Sequence, residues 1–153
     1  MSINYISIIK FFHIICGISF FGITIAAFFY IARSINKHDR SLIDYSIRAS
    51  YFGDAIILLC IFIQIASSIQ LISAGHFTLE VPWIFVANHA FGFLIILWIL
   101  NLFIKKCYLS STTITSYSLK SFYYLNIAMI LIFIIIIHDA VTKSTWLEFL
   151  FRK

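Results

Sequence analysis

Four long apolar stretches dominate the sequence and limit what the chain can fold into. They cover residues 6–32, 51–74, 83–104 and 122–141. About 20 helical residues cross a hydrocarbon core roughly 30 Å thick, so each stretch is long enough to span a bilayer. The runs are continuous, whereas the strands of a membrane barrel alternate apolar and polar residues. The pattern therefore predicts an all-α, transmembrane four-helix up-down-up-down bundle.

Composition agrees with a membrane environment. The chain is 62% hydrophobic and 11% charged, whereas soluble domains are about half apolar and about a quarter charged. Four spans leave little of the 153 residues for a soluble module, so we expect a single integral membrane domain with the lipid bilayer as its main partner. The first stretch is too long for a signal peptide and is expected to be retained. The basic residues form no block with stacking aromatics, so no nucleic-acid partner is expected.

The distribution of basic residues predicts the orientation of the bundle. The first and third connections, residues 33–50 and 105–120, carry seven: Arg33, Lys37, Arg40, Arg48, Lys105, Lys106 and Lys120. The opposite side carries four: Lys10, Lys143, Arg152 and Lys153. Because short cytoplasmic loops are enriched in Lys and Arg, this imbalance predicts both larger connections in the cytoplasm and both termini on the extracytoplasmic side.

Three histidines fall within predicted spans, at similar depth. His13, His89 and His138 each lie within roughly 10 Å of the predicted outer face. The first and third helices of such a bundle are diagonal, so imidazoles of His13 and His89 could approach one central cofactor from opposite sides, with His138 beside them. This arrangement suits a haem of the b type. Imidazole also binds copper or zinc, with Asp139 as a fourth ligand or an orienting group. The alternatives are a proton relay, or histidines that hydrogen-bond across helices without any cofactor.

Other polar or small residues within the spans are interpreted as structural. Asp54 is expected to form a local ion pair or helix-start contact, with Arg48 a turn or two earlier. Four side chains are predicted to hydrogen-bond between helices: Gln64, Ser67, Ser68 and Asn126. Gly17 and Gly22 are predicted to face another helix, where their lack of a side chain permits close approach.

Three segments resemble a known family. They are Lys10-Phe-Phe-His13 with the two glycines that follow, residues 54–64, and residues 75–84, which end in Pro-Trp-Ile. The chain resembles a bacterial family of four-helix predicted integral membrane proteins, distantly similar to the superfamily of copper-resistance D and haem-dependent protoporphyrinogen oxidase. The resemblance implies a multi-pass protein of the bacterial inner membrane in which His13 lies near a haem.

The sequence also departs from that superfamily's pattern. The oxidase branch uses a third-helix lysine as a haem ligand, whereas His89 lies in the comparable half here and Lys105 lies near the helix's far end. The family of unknown function has a proline after the second-helix glutamine, where this chain has Ile65.

Three functions are compatible with these features. One is a haem protein that passes electrons or supports a quinone-linked reaction. Another is a non-catalytic accessory or assembly subunit, bound to other membrane proteins or to further copies of itself. A third is copper handling through the outer histidines. Hydrolase and nucleotide-binding functions are not favoured, because the sequence contains neither a catalytic triad pattern nor a phosphate loop.

Overall fold

Four long α-helices make up the fold. The computed structural model describes residues 2–110 and 116–145. The helices are α1 (Ser2–Asn36), α2 (Arg40–Ala74), α3 (Pro82–Ser110) and α4 (Ser116–Thr142). Each contains a segment long and apolar enough to cross a membrane, namely Tyr5–Asn36, Arg40–Ala74, Pro82–Ser110 and Lys120–Thr142. The predicted four-helix membrane bundle is confirmed, and the chain is a multi-pass membrane protein in contact with lipid.

The helices extend well beyond the predicted apolar stretches. Most of residues 33–50, predicted to be a loop, is helical, and only residues 37–39 separate α1 from α2. Residues 105–110, also predicted to be a loop, form the last turns of α3. Hydropathy locates the hydrocarbon core, whereas a helix continues into water until something stops it. Residues 33–50 contain neither glycine nor proline, and helix extends through this segment on both sides of the short turn at residues 37–39.

Asp39 defines the beginning of α2. Its side chain accepts hydrogen bonds from the backbone N–H groups of Ser41 and Leu42, at 2.9 and 3.3 Å, and from the Ser41 hydroxyl at 2.8 Å. These groups would otherwise lack partners in the first turn of the helix. These hydrogen bonds lower the pKa of the Asp39 carboxyl from its ordinary value, and the hydrogen bond from the Ser41 hydroxyl has the largest effect.

The bundle consists of two hairpins with unequal contacts around the ring. α1 packs along α2, α3 packs along α4, and α4 also contacts α1, whereas α2 and α3 touch over only a short distance. We call the end at residues 37–39 the basic end, and the end at residues 75–81 the opposite end. The described part of the bundle is therefore closed on three sides and loosely packed between α2 and α3.

Two buried clusters form the core. The larger lies around Phe20, Leu94 and Met129, each 0% exposed, and the ring of Phe20 meets that of Phe133 edge-on with centroids 4.8 Å apart. A second cluster, which includes Ile31, lies toward the basic end. The outward faces carry exposed large apolar side chains on all four helices, as expected for a surface in contact with lipid.

The two glycines predicted to face another helix differ. A Cβ atom at Gly17 would lie 2.8 Å from Nε2 of Gln64, so α1 approaches α2 closely there and the prediction for Gly17 is confirmed. A Cβ atom at Gly22 would have nothing within 4 Å, and Gly22 is exposed. The prediction for Gly22 is wrong because this residue lies on the outward face of α1.

Candidate functional site

A buried ion pair joins α2 to α3 within the membrane-spanning part of the bundle. Lys105 donates from Nζ to Oδ2 of Asp54 at 2.7 Å. Trp98 donates from Nε1 to the other carboxylate oxygen at 3.2 Å. Lys105 is 2% exposed and Asp54 is 7% exposed. Charged groups at membrane depth are costly unless they are paired, and the two charges here neutralise each other.

The spacing of polar residues on α3 explains how Lys105 reaches this position. Trp98, Asn101, Lys105 and Tyr108 follow one another at intervals of three and four residues, and all four are buried. They therefore lie on one face of the helix, directed into the bundle. The ammonium group of Lys105 also lies 6.0 Å from the centroid of the Tyr51 ring, within range of a cation–π interaction.

The ion pair corrects two predictions from the sequence. Asp54 was predicted to pair locally with Arg48, but its partner is 51 residues away in sequence, and Arg48 is exposed. Lys105 was predicted to lie in a cytoplasmic loop, but it is inside α3. Of the seven basic residues counted on the predicted cytoplasmic side, only Lys105 belongs to this buried pair.

An open groove lies beside the ion pair, where α2 and α3 separate. Its volume is about 480 Å³. α2 contributes Tyr51, Asp54, Ala55 and Leu58, and α3 contributes Trp98, Leu102, Phe103 and Lys106. The groove is thus mostly apolar, with the Asp54 carboxylate at its wall and the Lys106 side chain at the basic end.

Further polar contacts join the other helix pairs. Gln64 on α2 donates to the backbone carbonyl of His13 on α1 at 3.0 Å. Asn101 on α3 donates to the side-chain oxygen of Asn126 on α4 at 3.3 Å. The interhelical roles predicted for Gln64 and Asn126 are therefore confirmed.

The predicted site histidines have separate partners. Nδ1 of His13 lies 2.9 Å from the Ser67 hydroxyl on α2, which confirms the interhelical role of Ser67. His89 donates from Nδ1 to the Phe85 carbonyl of its own helix at 2.8 Å, and the two rings pack with centroids 4.0 Å apart. His89 is exposed, as are Phe85 and Phe93 on the same helix. His13 thus faces α2, whereas His89 lies on the outward face of α3.

His138 and Asp139 lie near the end of α4. The imidazole donates from Nδ1 to Oδ1 of Asp139 at 3.0 Å. Asp139 is 0% exposed, and its Oδ2 has no hydrogen-bond partner among the described residues. Nζ of Lys143, directly after α4, lies 4.3 Å from the centroid of the Trp83 ring at the start of α3, and His13 contacts Ser67 in the last part of α2, so both belong to the opposite end of the bundle.

No metal-binding cluster is evident in residues 2–110 and 116–145. No three His, Cys, Asp or Glu side chains in this part of the chain are grouped so that they could hold a metal ion. The outward position of His89 also does not suit ligation of one haem together with His13. Haem or metal binding by His13, His89, His138 and Asp139 stays a prediction.

Comparison with protein-family models, with curated proteins and with solved structures found no match to this chain. The family resemblance stays a prediction as well. The Asp54–Lys105 pair and the adjoining groove were missed from the sequence. The signal that could have revealed them is the polar stripe on α3, since it continues the helical spacing through Lys105.

Proposed function

We propose that the protein is a non-catalytic accessory or assembly subunit of a larger complex in the bacterial inner membrane. The supporting observation is that polar side chains at membrane depth form contacts between the helices of this chain. Gln64 joins α2 to α1, Asp54 joins α2 to α3, and Asn101 joins α3 to α4. Interhelical hydrogen bonds of this kind stabilise membrane bundles. The interior polar groups thus hold the helices together.

The outer surface supports the same proposal. The connections at residues 37–39 and 75–81 are short, whereas the helices present large exposed apolar side chains on their outward faces. The surface available for recognition in the described structure is therefore mainly the surface of the spans. The partner we propose is accordingly another membrane protein, which contacts the bundle within the bilayer.

We further propose that the basic end lies in the cytoplasm and both termini lie outside. Six basic residues outside the buried pair support this orientation: Arg33, Lys37, Arg40, Arg48, Lys106 and Lys120. Four were assigned to the other side from the sequence, and two of these, Arg152 and Lys153, lie outside the described residues. The bias toward the basic end persists after Lys105 is removed from the count.

Native membranes provide the test of the accessory role. The tagged protein is extracted directly into polymer-bounded nanodiscs, so that its lipid and protein neighbours stay in place. We expect one or more other membrane proteins to co-elute with the tagged protein at a fixed molar ratio in size-exclusion chromatography. In the reciprocal experiment, tagging one of these partners should recover this protein. An unrelated tagged four-helix protein expressed at the same level is the control. Elution as a single chain, or with the control's companions, would contradict the proposal.

A second candidate is haem or copper binding at the outer histidines. The observation that favours it is the buried Asp139 beside His138, since a buried carboxylate oxygen without a partner is costly and suits a bound cation. The absorption spectrum and metal content of the same preparation decide between the two. Under this candidate, the preparation contains a bound metal or a Soret band that is lost in His138→Ala and in Asp139→Asn, the residues of the supporting observation. The accessory role predicts neither signal.

A further inference from the structure

The groove between α2 and α3 changes character along its length. Tyr51 and Lys106 line it toward the basic end, whereas Leu58 and Trp98 line it deeper in the bundle. From Tyr51 to Leu58 the helix rises by about 10 Å. Between these levels the walls carry Asp54, which is paired with Lys105, and otherwise apolar side chains such as Ala55. The groove therefore has a basic mouth and an apolar interior that follows the helix axes.

The mouth carries positive charge on both walls. Arg48 lies three residues, or about one helical turn, before Tyr51. It is therefore on the same face of α2 as the residues that line the groove. Lys106 occupies the matching place on α3. Both side chains are exposed, and neither forms an ion pair with a carboxylate in the described part of the chain. The carboxylate of Asp54 does not cancel this charge, because Lys105 already compensates it.

We propose that this groove binds an anionic phospholipid. The phosphate-bearing headgroup lies between Arg48 and Lys106, and an acyl chain lies along Ala55, Leu58 and Leu102. Arginine and lysine at a membrane surface attract anionic headgroups, and charge-assisted hydrogen bonds to phosphate are stronger than neutral ones. The apolar walls below the mouth accept a hydrocarbon chain from the bilayer that the groove faces.

The shape and lining of the groove suit a lipid chain. Over the roughly 10 Å from Tyr51 to Leu58 the groove is open to the bilayer and lined mainly by apolar side chains. A single flexible acyl chain is narrower than a helix and can lie along these walls without displacing α2 from α3.

Competitive lipid retention tests the headgroup site. The protein is reconstituted in vesicles of equal parts phosphatidylglycerol and phosphatidylcholine, extracted in mild detergent, and its bound lipids are counted by native mass spectrometry. We expect phosphatidylglycerol to be retained preferentially. Arg48→Gln and Lys106→Gln should each lower that preference by about fivefold. Lys37→Gln removes an exposed positive charge from the same end, away from the groove, and should leave the preference unchanged.

A pair of alanines tests the chain site. Ala55 lines the groove, whereas Ala26 is exposed on α1, which does not line it. Ala55→Phe should fill the groove and abolish preferential retention, whereas Ala26→Phe should not. Thermal stability equal to that of the wild type in both variants establishes that neither disturbs the fold. The proposal is overturned if the wild type retains both lipids equally, or if Lys106→Gln keeps the full preference. If Ala55→Phe unfolds, Arg48→Gln and Lys106→Gln, which alter exposed side chains, decide the outcome.

Discussion

Asp54→Ala should destabilise the bundle strongly, because it leaves the Lys105 ammonium group buried without its counter-ion. Lys105 is 2% exposed and lies 2.7 Å from the carboxylate. At an effective dielectric constant of about 20, the Coulomb attraction at this distance is about 6 kcal/mol. The cost of desolvating both groups offsets part of it. Removal of one partner from a buried pair typically costs about 3 to 5 kcal/mol, and we expect a loss of unfolding free energy in this range.

The double variant Asp54→Leu with Lys105→Met distinguishes charge pairing from simple packing. Replacing both members of a buried pair by apolar residues of similar volume is often neutral or stabilising. The double variant should therefore recover most of the stability that Asp54→Ala loses. Lys106→Met is the matched control, since it removes the neighbouring exposed lysine and should change stability by no more than about 0.5 kcal/mol.

Steric trapping in bicelles measures the free energy of unfolding of these variants without heating. The reasoning fails if Asp54→Ala stays within about 1 kcal/mol of the wild type, since that is below the cost of a broken buried pair. It also fails if the double variant is as unstable as Asp54→Ala, because the loss would then come from side-chain shape and not from an unpaired charge.

Three further predictions concern single positions. Gly17→Leu should cost about 1 to 3 kcal/mol, because the new side chain meets Gln64, whereas Gly22→Leu should be tolerated; unfolding in detergent compares the two. The Asp39 carboxylate should stabilise the start of α2 above its ordinary pKa of 3.8, and this contribution should disappear as the pH falls through its lower folded value. Protection factors in the first turn of α2, which are exchange rates corrected for their intrinsic pH dependence, should therefore fall in acid, but not in Asp39→Ala, where they should already be lower at neutral pH. Cys107, which is exposed, should react with a membrane-impermeant thiol reagent only after the cells are permeabilised. Labelling of Cys107 in intact cells would show that the orientation is the opposite one.

Hydropathy was sufficient to predict the number of spans, because the cost of exposing backbone and charge to lipid leaves few alternatives. It was insufficient for the helix ends. Residues 40–50 are polar enough to lie outside the hydrocarbon core yet still helical, with Asp39 as the cap. The boundary of the hydrocarbon core and the end of a helix have different physical causes, and hydropathy reports only the boundary.

The candidate site was harder to predict because it depends on how each helix is rotated about its axis. The spans are apolar on nearly every side, so periodicity did not show that His89 faces outward, and the polar stripe on α3 was the one signal that Lys105 faces inward. Local spacing rules suggested Arg48 as the partner of Asp54, since they consider residues within a turn or two. The actual partner belongs to another helix, and its selection required the packing of α2 against α3.

The sequence distance between Asp54 and Lys105 also has a consequence for biosynthesis. A ribosome synthesises α1 and α2 before Lys105, which follows Asp54 by 51 residues, and the lysine must then leave the exit tunnel before it can reach the carboxylate. During that interval the carboxylate has no cation from α3 to neutralise it. The nascent hairpin must therefore keep Asp54 in contact with water, headgroups or the insertion machinery. Its final depth in the bilayer is set only when the second hairpin arrives.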